Sequence, residues 1–171
     1  MLFRSGIIRS YQVTNLFDSL SVLENARIAV QAHHNPYNFW REAEDVPELR
    51  ESAISALEKV DMAGNLDRPV SELSHGEQRM LEIAVSLCGE PEILLLDEPT
   101  SGMSQEETTE MIQVINDLAS DVTVLLVEHK MSVVTEVSDE ILVLHNGQKL
   151  ASGDPETIQN NDRVKQVYLG A

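Results

Sequence analysis

The sequence is 171 residues long, 42% hydrophobic, and carries 29 acidic against 12 basic side chains, for a formal net charge of −17. That acidity argues against a nucleic-acid or anionic-membrane surface, and wholly apolar runs of about four residues fall far short of the ~20 needed to span a bilayer. Cys88, the only cysteine, leaves no disulfide framework, and with no apolar leader segment the expected home is a reducing cytoplasm.

The first element, Gly6 to Gln12, reads as a strand leading to a polar residue. Leu16 to about Val70 reads as mainly helical. Ser21-x-x-Glu24 has the capping-box spacing and opens a helix through Ala32, which His33-His34-Asn35-Pro36-Tyr37 breaks. Adjacent histidines rarely chelate one ion together, and no further ligand follows at metal spacing. Phe39 and Trp40 read as packing residues. Pro47 suits the first turn of a second helix to Val60, with Leu49, Ala53, Ile54, Leu57 and Val60 at helical spacing. Asp61 to Pro69 is a turn-rich link.

Ser74 to Gly102 is the densest stretch. Ser74 and Glu77 form a second capping box around His75 and Gly76, and Gly76 lets another group approach the backbone closely. A helix start carries unpaired N–H groups and partial positive charge, which suits phosphate. The helix carries Met80, Leu81, Ile83, Ala84 and Leu87 toward a core and stops near Gly89 and Pro91. Ile93-Leu94-Leu95-Leu96 fits a strand buried on both faces of a parallel sheet. It ends in Asp97 and Glu98, at the sheet edge where ligands of open α/β folds bind. An Asp there can hold Mg²⁺ through its water shell, and a neighbouring Glu can deprotonate an attacking water. Taken singly, a Ser-x-x-Glu is a helix cap and an acid after a strand is a turn residue; the ordered combination is what points to a site.

Ser104-x-x-Glu107 makes a third box, opening a helix from Gln105 to Leu118 with Met111, Val114, Ile115 and Leu118 on one face. Val122 to Val127 reads as a second buried strand, followed by Glu128, His129 and Lys130. Met131 to Val137 reads as a short helix and Glu140 to Leu144 as a third strand. Asn146-Gly147 is a strong hairpin turn, with Gln148 to Ala151 returning. A polar helix to about Leu169 closes the chain.

Leu73-Ser74-His75-Gly76-Glu77-Gln78 resembles the signature motif of ABC ATPases, LSGGQ, with His75 in place of the first glycine. Ile93 to Glu98 resembles their Walker B motif. Over essentially its whole length the chain resembles the ATP-binding subunit of an ABC transporter. The wording LSHGEQR…LEIA and the terminal Tyr168-Leu169-Gly170 are similar to the branched-chain amino acid importers.

The resemblance implies an α/β fold, a partial P-loop NTPase core with a mainly helical subdomain. Residues 1–15 would end a core strand and enter the Q-loop, 16–90 would form the helical subdomain with the signature motif, and 91–171 would complete the core. Strands near 93–97, 122–127 and 140–144 would share the sheet. It implies ATP and Mg²⁺ as ligands. Asp97 would hold Mg²⁺ together with Gln12, the Q-loop glutamine. Glu98 would activate water, which Gln12 would also meet, and His129, the H-loop histidine, would contact the γ-phosphate or help hold the attacking water. Ser74, His75, Gly76, Glu77 and Gln78 would serve the ATP held by a second ATPase subunit, in a homo- or heterodimer. Transmembrane permease subunits would be direct partners and an extracytoplasmic substrate-binding protein an indirect one, with no nucleic acid. The protein would sit on the inner face of the cell membrane through the permease.

Two departures from the family pattern stand out. The sequence has no match to the Walker A loop, GxxxxGK[ST], whose backbone and lysine cradle phosphates. The reading is therefore the C-terminal two-thirds of a cassette, from a partial gene or misplaced start in preference to a true truncation. Ser104 stands where the D-loop carries an Asp, so the helix cap survives and the bridging carboxylate does not. The competing functions are a non-catalytic partner of a complete ATPase, a urea or amide importer subunit, and a soluble DNA-repair ATPase. The acidity and the importer-like C-terminus disfavour the last.

Overall fold

The computed structural model describes residues 6–9, 16–34 and 47–169, and the chain divides into two compact units at Val127/Glu128.

The first unit joins a three-stranded parallel sheet to helices. Strand β1 (Ile7–Arg9) pairs with β2 (Ile93–Asp97), and β2 pairs with β3 (Thr123–Val127). Sheet order is β1-β2-β3, so the Asp97-terminated strand lies in the middle. Among the described residues, the α-helices α1 (Val22–His34), α2 (Pro47–Glu58) and α3 (His75–Leu87) precede β2, and α4 (Gln105–Leu118) follows it. Helices α1, α2 and α3 pack on one another, and Val22, Ala26, Val30, Leu57, Leu81 and Ala84 on them are buried. Leu94 and Leu96 of β2 and Met111 and Ile115 of α4 are likewise buried. The amphipathic spacing predicts these helices closely because each has one apolar stripe to bury.

Three expectations for the strands are corrected. Burial on β2 alternates, with Leu94 and Leu96 enclosed and Ile93 and Leu95 only half-covered, so one face rather than both is sealed. Strand β3 is not buried: Leu125 and Val127 are 57% and 56% exposed, because β3 is the edge of the described sheet and one of its faces is open. The strand over 140–144 does not join the parallel sheet. It is β4 (Ile141–His145), paired antiparallel with β5 (Gln148–Gly153) in a separate two-stranded sheet. Local turn chemistry decides this. Asn146 and Gly147 both take positive φ, 50° and 75°, as a tight two-residue hairpin requires. The third place in the parallel sheet goes to β1.

The second unit contains that hairpin, α5 (Met131–Val137), α6 (Pro155–Gln159) and α7 (Asp162–Val164), which runs into a π-helical turn over Lys165–Leu169. Ile141, Val143, Ile158 and Val164 form its core. The terminal segment is not one helix. Asn160 ends α6, and Asn161 restarts the chain by accepting from the N–H groups of Arg163 and Val164. Helix α1 also continues two residues past Ala32, through both histidines. Among the described residues, no helix is long and apolar enough to cross a membrane.

Candidate functional site

Strand β2 delivers Asp97 and Glu98 to the C-terminal edge of the sheet. The N–H of Glu98 donates to the Val127 carbonyl at 2.8 Å, so β3 pins the first residue beyond the strand. Glu98 takes φ 46°, a left-handed conformation that a non-glycine side chain adopts at a cost of order 1 kcal/mol and that clusters at functional turns. The Ser101 N–H closes the turn on the Glu98 carbonyl at 3.1 Å. Asp97 and Glu98 thus leave a fixed backbone corner.

Two arginines hold that corner. Arg9 on β1 donates to Asp97 Oδ2 at 2.8 Å, in an ion pair that is half-open to solvent. Arg79 on α3 donates from Nη2 to the Asp97 carbonyl at 2.8 Å, while its Nη1 pairs with Glu82 one turn along the helix. Arg79 therefore ties α3 to the end of β2. Arg79 and Glu82 are nearly buried, and Glu82 Oε1 has no hydrogen-bond partner among the described residues. Neither arginine was singled out from sequence. The i,i+3 spacing of Arg79 and Glu82 was a visible signal; the reach of Arg79 to Asp97 was not.

The turn before α3 forms the capping box its spacing predicts. Ser74 Oγ accepts from the Glu77 N–H at 3.1 Å, and Glu77 Oε2 accepts from the Ser74 N–H at 2.7 Å. Arg68 braces it, donating to Glu77 Oε1 at 2.7 Å and to the Glu72 carbonyl at 2.9 Å. Burial pulls the Glu77 carboxyl upward, but Arg68 and the Ser74 N–H outweigh it and hold the group below its ordinary value. Gln78 turns its amide back to the Leu73 carbonyl at 3.3 Å. Glu77 and Gln78 thus shape the turn, while Ser74 and His75 are its exposed members. His75 lies beside Gly102, where an added Cβ would stand 3.5 Å from its ring.

A second carboxylate enters this turn from α4. Ser104 caps α4 as expected, with Oγ accepting from the Glu107 N–H at 3.2 Å and Glu107 Oε2 accepting from the Ser104 N–H at 2.9 Å. The other oxygen, Glu107 Oε1, accepts from Ser74 Oγ at 3.1 Å. Gly76 makes room: a Cβ there would stand 2.6 Å from Glu107 Oε1. The Ser104 backbone and hydroxyl, then the Ser74 hydroxyl and the Gly76 backbone, hold the Glu107 carboxyl below its ordinary value. Sequence reading found Glu107 as a helix cap but not this reach across 33 residues.

His129 is the second residue of the second unit, just beyond β3 in the chain. It is largely exposed, and its N–H donates to Glu128 Oε2 at 3.1 Å. Gln12 lies outside the described residues. Among the described residues no group of three or more His, Cys, Asp or Glu converges to hold a metal ion. The chemistry on offer in the first unit is therefore a carboxylate pair at a sheet edge and a helix N-terminus rich in donors.

Comparison with known proteins places these features in one context. The profile described as ABC transporter matches residues 2–101, and that described as branched-chain amino acid ATP-binding cassette transporter matches residues 148–171. The chain is 37% identical to the high-affinity branched-chain amino acid transport ATP-binding protein LivG of Escherichia coli K12, covering 98% of this chain and 69% of that one. It is 38% identical to BraF of Pseudomonas aeruginosa, a protein of the same description, with the same coverage. In fold it is similar to the ADP conformation of MJ1267, an ATP-binding cassette of an ABC transporter. That match has a TM-score of 0.81 at 24% identity and covers 99% of this chain and 70% of the other.

Proposed function

Because the chain belongs to the ATP-binding subunits of ABC transporters, we propose that it is the ATP-hydrolysing subunit of an importer for branched-chain amino acids. The observation that carries the chemistry is the Asp97–Glu98 corner, fixed by β3 through Val127 and by α3 through Arg79. The profile match at 148–171 and the names of the relatives support the cargo.

The residues present fit Mg²⁺. Asp97 offers a hard oxygen donor that is partly exposed, and Arg9 engages only Oδ2. Mg²⁺ is commonly held by one or two carboxylates, substrate phosphates and its own waters, so a closed ligand cage is not required. Asp97 would hold the ion with Gln12, and the bound ion would neutralise charge on the transferring phosphoryl group. Glu98 accepts the proton of the attacking water, and His129 donates to the γ-phosphate. Ser74, His75 and Gly76 meet the ATP of a second ATPase subunit on a turn shaped by Glu77 and Gln78. The phosphate-binding loop is not among these 171 residues, so the reaction needs that loop from outside this sequence. The helical part within 16–90 docks on transmembrane permease subunits, which hold the protein at the inner membrane face. A substrate-binding protein acts through them.

Reconstituted with its permease and with the subunit or segment that supplies the phosphate-binding loop, the complex should hydrolyse ATP faster when leucine, isoleucine or valine is presented by the binding protein. Stimulation by urea or short amides instead would move the cargo to the amide importers. No stimulation by any solute would favour a non-catalytic role.

A further inference from the structure

We propose that Glu107 is a displaceable internal anion: in the resting subunit its carboxylate occupies the position at the start of α3 that the phosphate of a partner subunit's ATP must take. The inference rests on the reading of Ser74 and Gly76 as nucleotide-binding residues and adds an occupant that has to leave first.

Three observations carry it. The single Ser74 O–H is committed to Glu107 Oε1 at 3.1 Å, because Ser74 Oγ uses its acceptor side for the Glu77 N–H. Gly76 is buried beneath the same carboxylate, in the space a Cβ would fill at 2.6 Å. Glu107 is also anchored at its own helix by Ser104. A carboxylate and a phosphate cannot share one hydroxyl and one helix N-terminus, since both are anions seeking the same donors. The hydrogen bonds that hold the Glu107 carboxyl below its ordinary value keep it charged at neutral pH. Its neighbour Glu77 is a second acid at the turn, but Arg68 neutralises it. Glu107 is instead held by neutral donors, which makes it the movable one. An open groove of about 650 Å³ adjoins Ser74, Gly76 and Glu107; Lys59 and Gln113 line it together with the acids Glu58, Asp61, Glu110 and Asp117, so a released Glu107 has room there but only Lys59 as a counter-charge. Because Glu107 belongs to the helix after the Thr100–Ser104 loop, its release would loosen the tie between that helix and the α3 turn as the partner's nucleotide arrives.

The test titrates the isotope-labelled chain with a complete partner subunit that carries its own phosphate-binding loop, with and without ATP, at fixed ionic strength, and follows the amide signals of Ser74, Gly76 and Glu77 by NMR. Glu107→Gln removes the charge and keeps an oxygen for the Ser104 N–H. Glu107→Asp keeps the charge and the helix cap but is one methylene too short for Ser74, so it guards against a misfolded first variant. The expected result is binding at least tenfold tighter in Glu107→Gln than in the native chain, with Glu107→Asp between them. Equal affinity in all three overturns the displaceable anion while leaving Ser74 and Gly76 as nucleotide contacts. No shift at these amides in any form overturns that underlying reading, and the inference with it.

Discussion

Arg79→Met tests how the Asp97–Glu98 corner is held. Arg79 and Glu82 are only 11% and 9% exposed, and Glu82 Oε1 is already without a partner among the described residues. Removing the guanidinium strands a nearly buried carboxylate and deletes the 2.8 Å bond to the Asp97 carbonyl. Breaking a buried pair from one side costs about 3–5 kcal/mol. For a chain of this size each kcal/mol moves Tm by about 2–4 °C, so the loss should be roughly 6–20 °C by calorimetry. The double variant Arg79→Met/Glu82→Met removes both charges and retains only the loss at Asp97, about 1.5–3 kcal/mol for a charged donor. It should therefore be more stable than the single variant, a coupling that a double-mutant cycle reads directly. A double variant as unstable as the single one would refute the argument, as would a single variant within about 1 kcal/mol of the native chain.

Two further predictions concern titrating groups. Cys88 is buried with its Sγ directed to the Ala26 carbonyl, and burial pushes its thiol up to about 12. At pH 8 its thiolate fraction is then about 10³-fold below that of a free cysteine. An aromatic disulfide reagent should label it at least that much more slowly in the native chain than in urea; equal rates would refute the burial. Glu77, Glu107 and Asp154 all have carboxyls held below their ordinary values. Their stabilising contribution is present above the unfolded-state carboxylate range near pH 4 and is lost as pH falls through the lower folded values. The urea midpoint should drop below about pH 4, and Glu77→Gln should flatten that drop.

Local chemistry made much of this molecule legible. Three Ser-x-x-Glu spacings predict helix starts. Two of them close both halves of the box, at Ser74 and Ser104. At Ser21 only the serine half forms, because Glu24 turns to Arg27 instead. The Asn146-Gly147 turn was equally readable, yet its consequence for sheet membership was missed. An apolar run such as Ile141 to Leu144 says "strand" without saying which neighbour it takes. The same ambiguity made β3 read as buried, since composition reports what a face would favour and not whether anything covers it. At the site, the residue types at the sheet edge and helix start were visible from order along the chain. Arg9, Arg79 and the second bond of Glu107 were not, because each joins elements far apart in sequence through a side chain whose direction only the fold determines.

The most direct test of the central claim is ATP turnover by the permease-assembled complex carrying Glu98→Gln. If Glu98 is the base at the end of β2, turnover should fall by about 10²–10⁴-fold while ATP affinity stays within about threefold, since the amide preserves shape and removes only the proton acceptor. Turnover within a few-fold of the native complex would contradict the assignment and with it the proposed role of the Asp97–Glu98 corner.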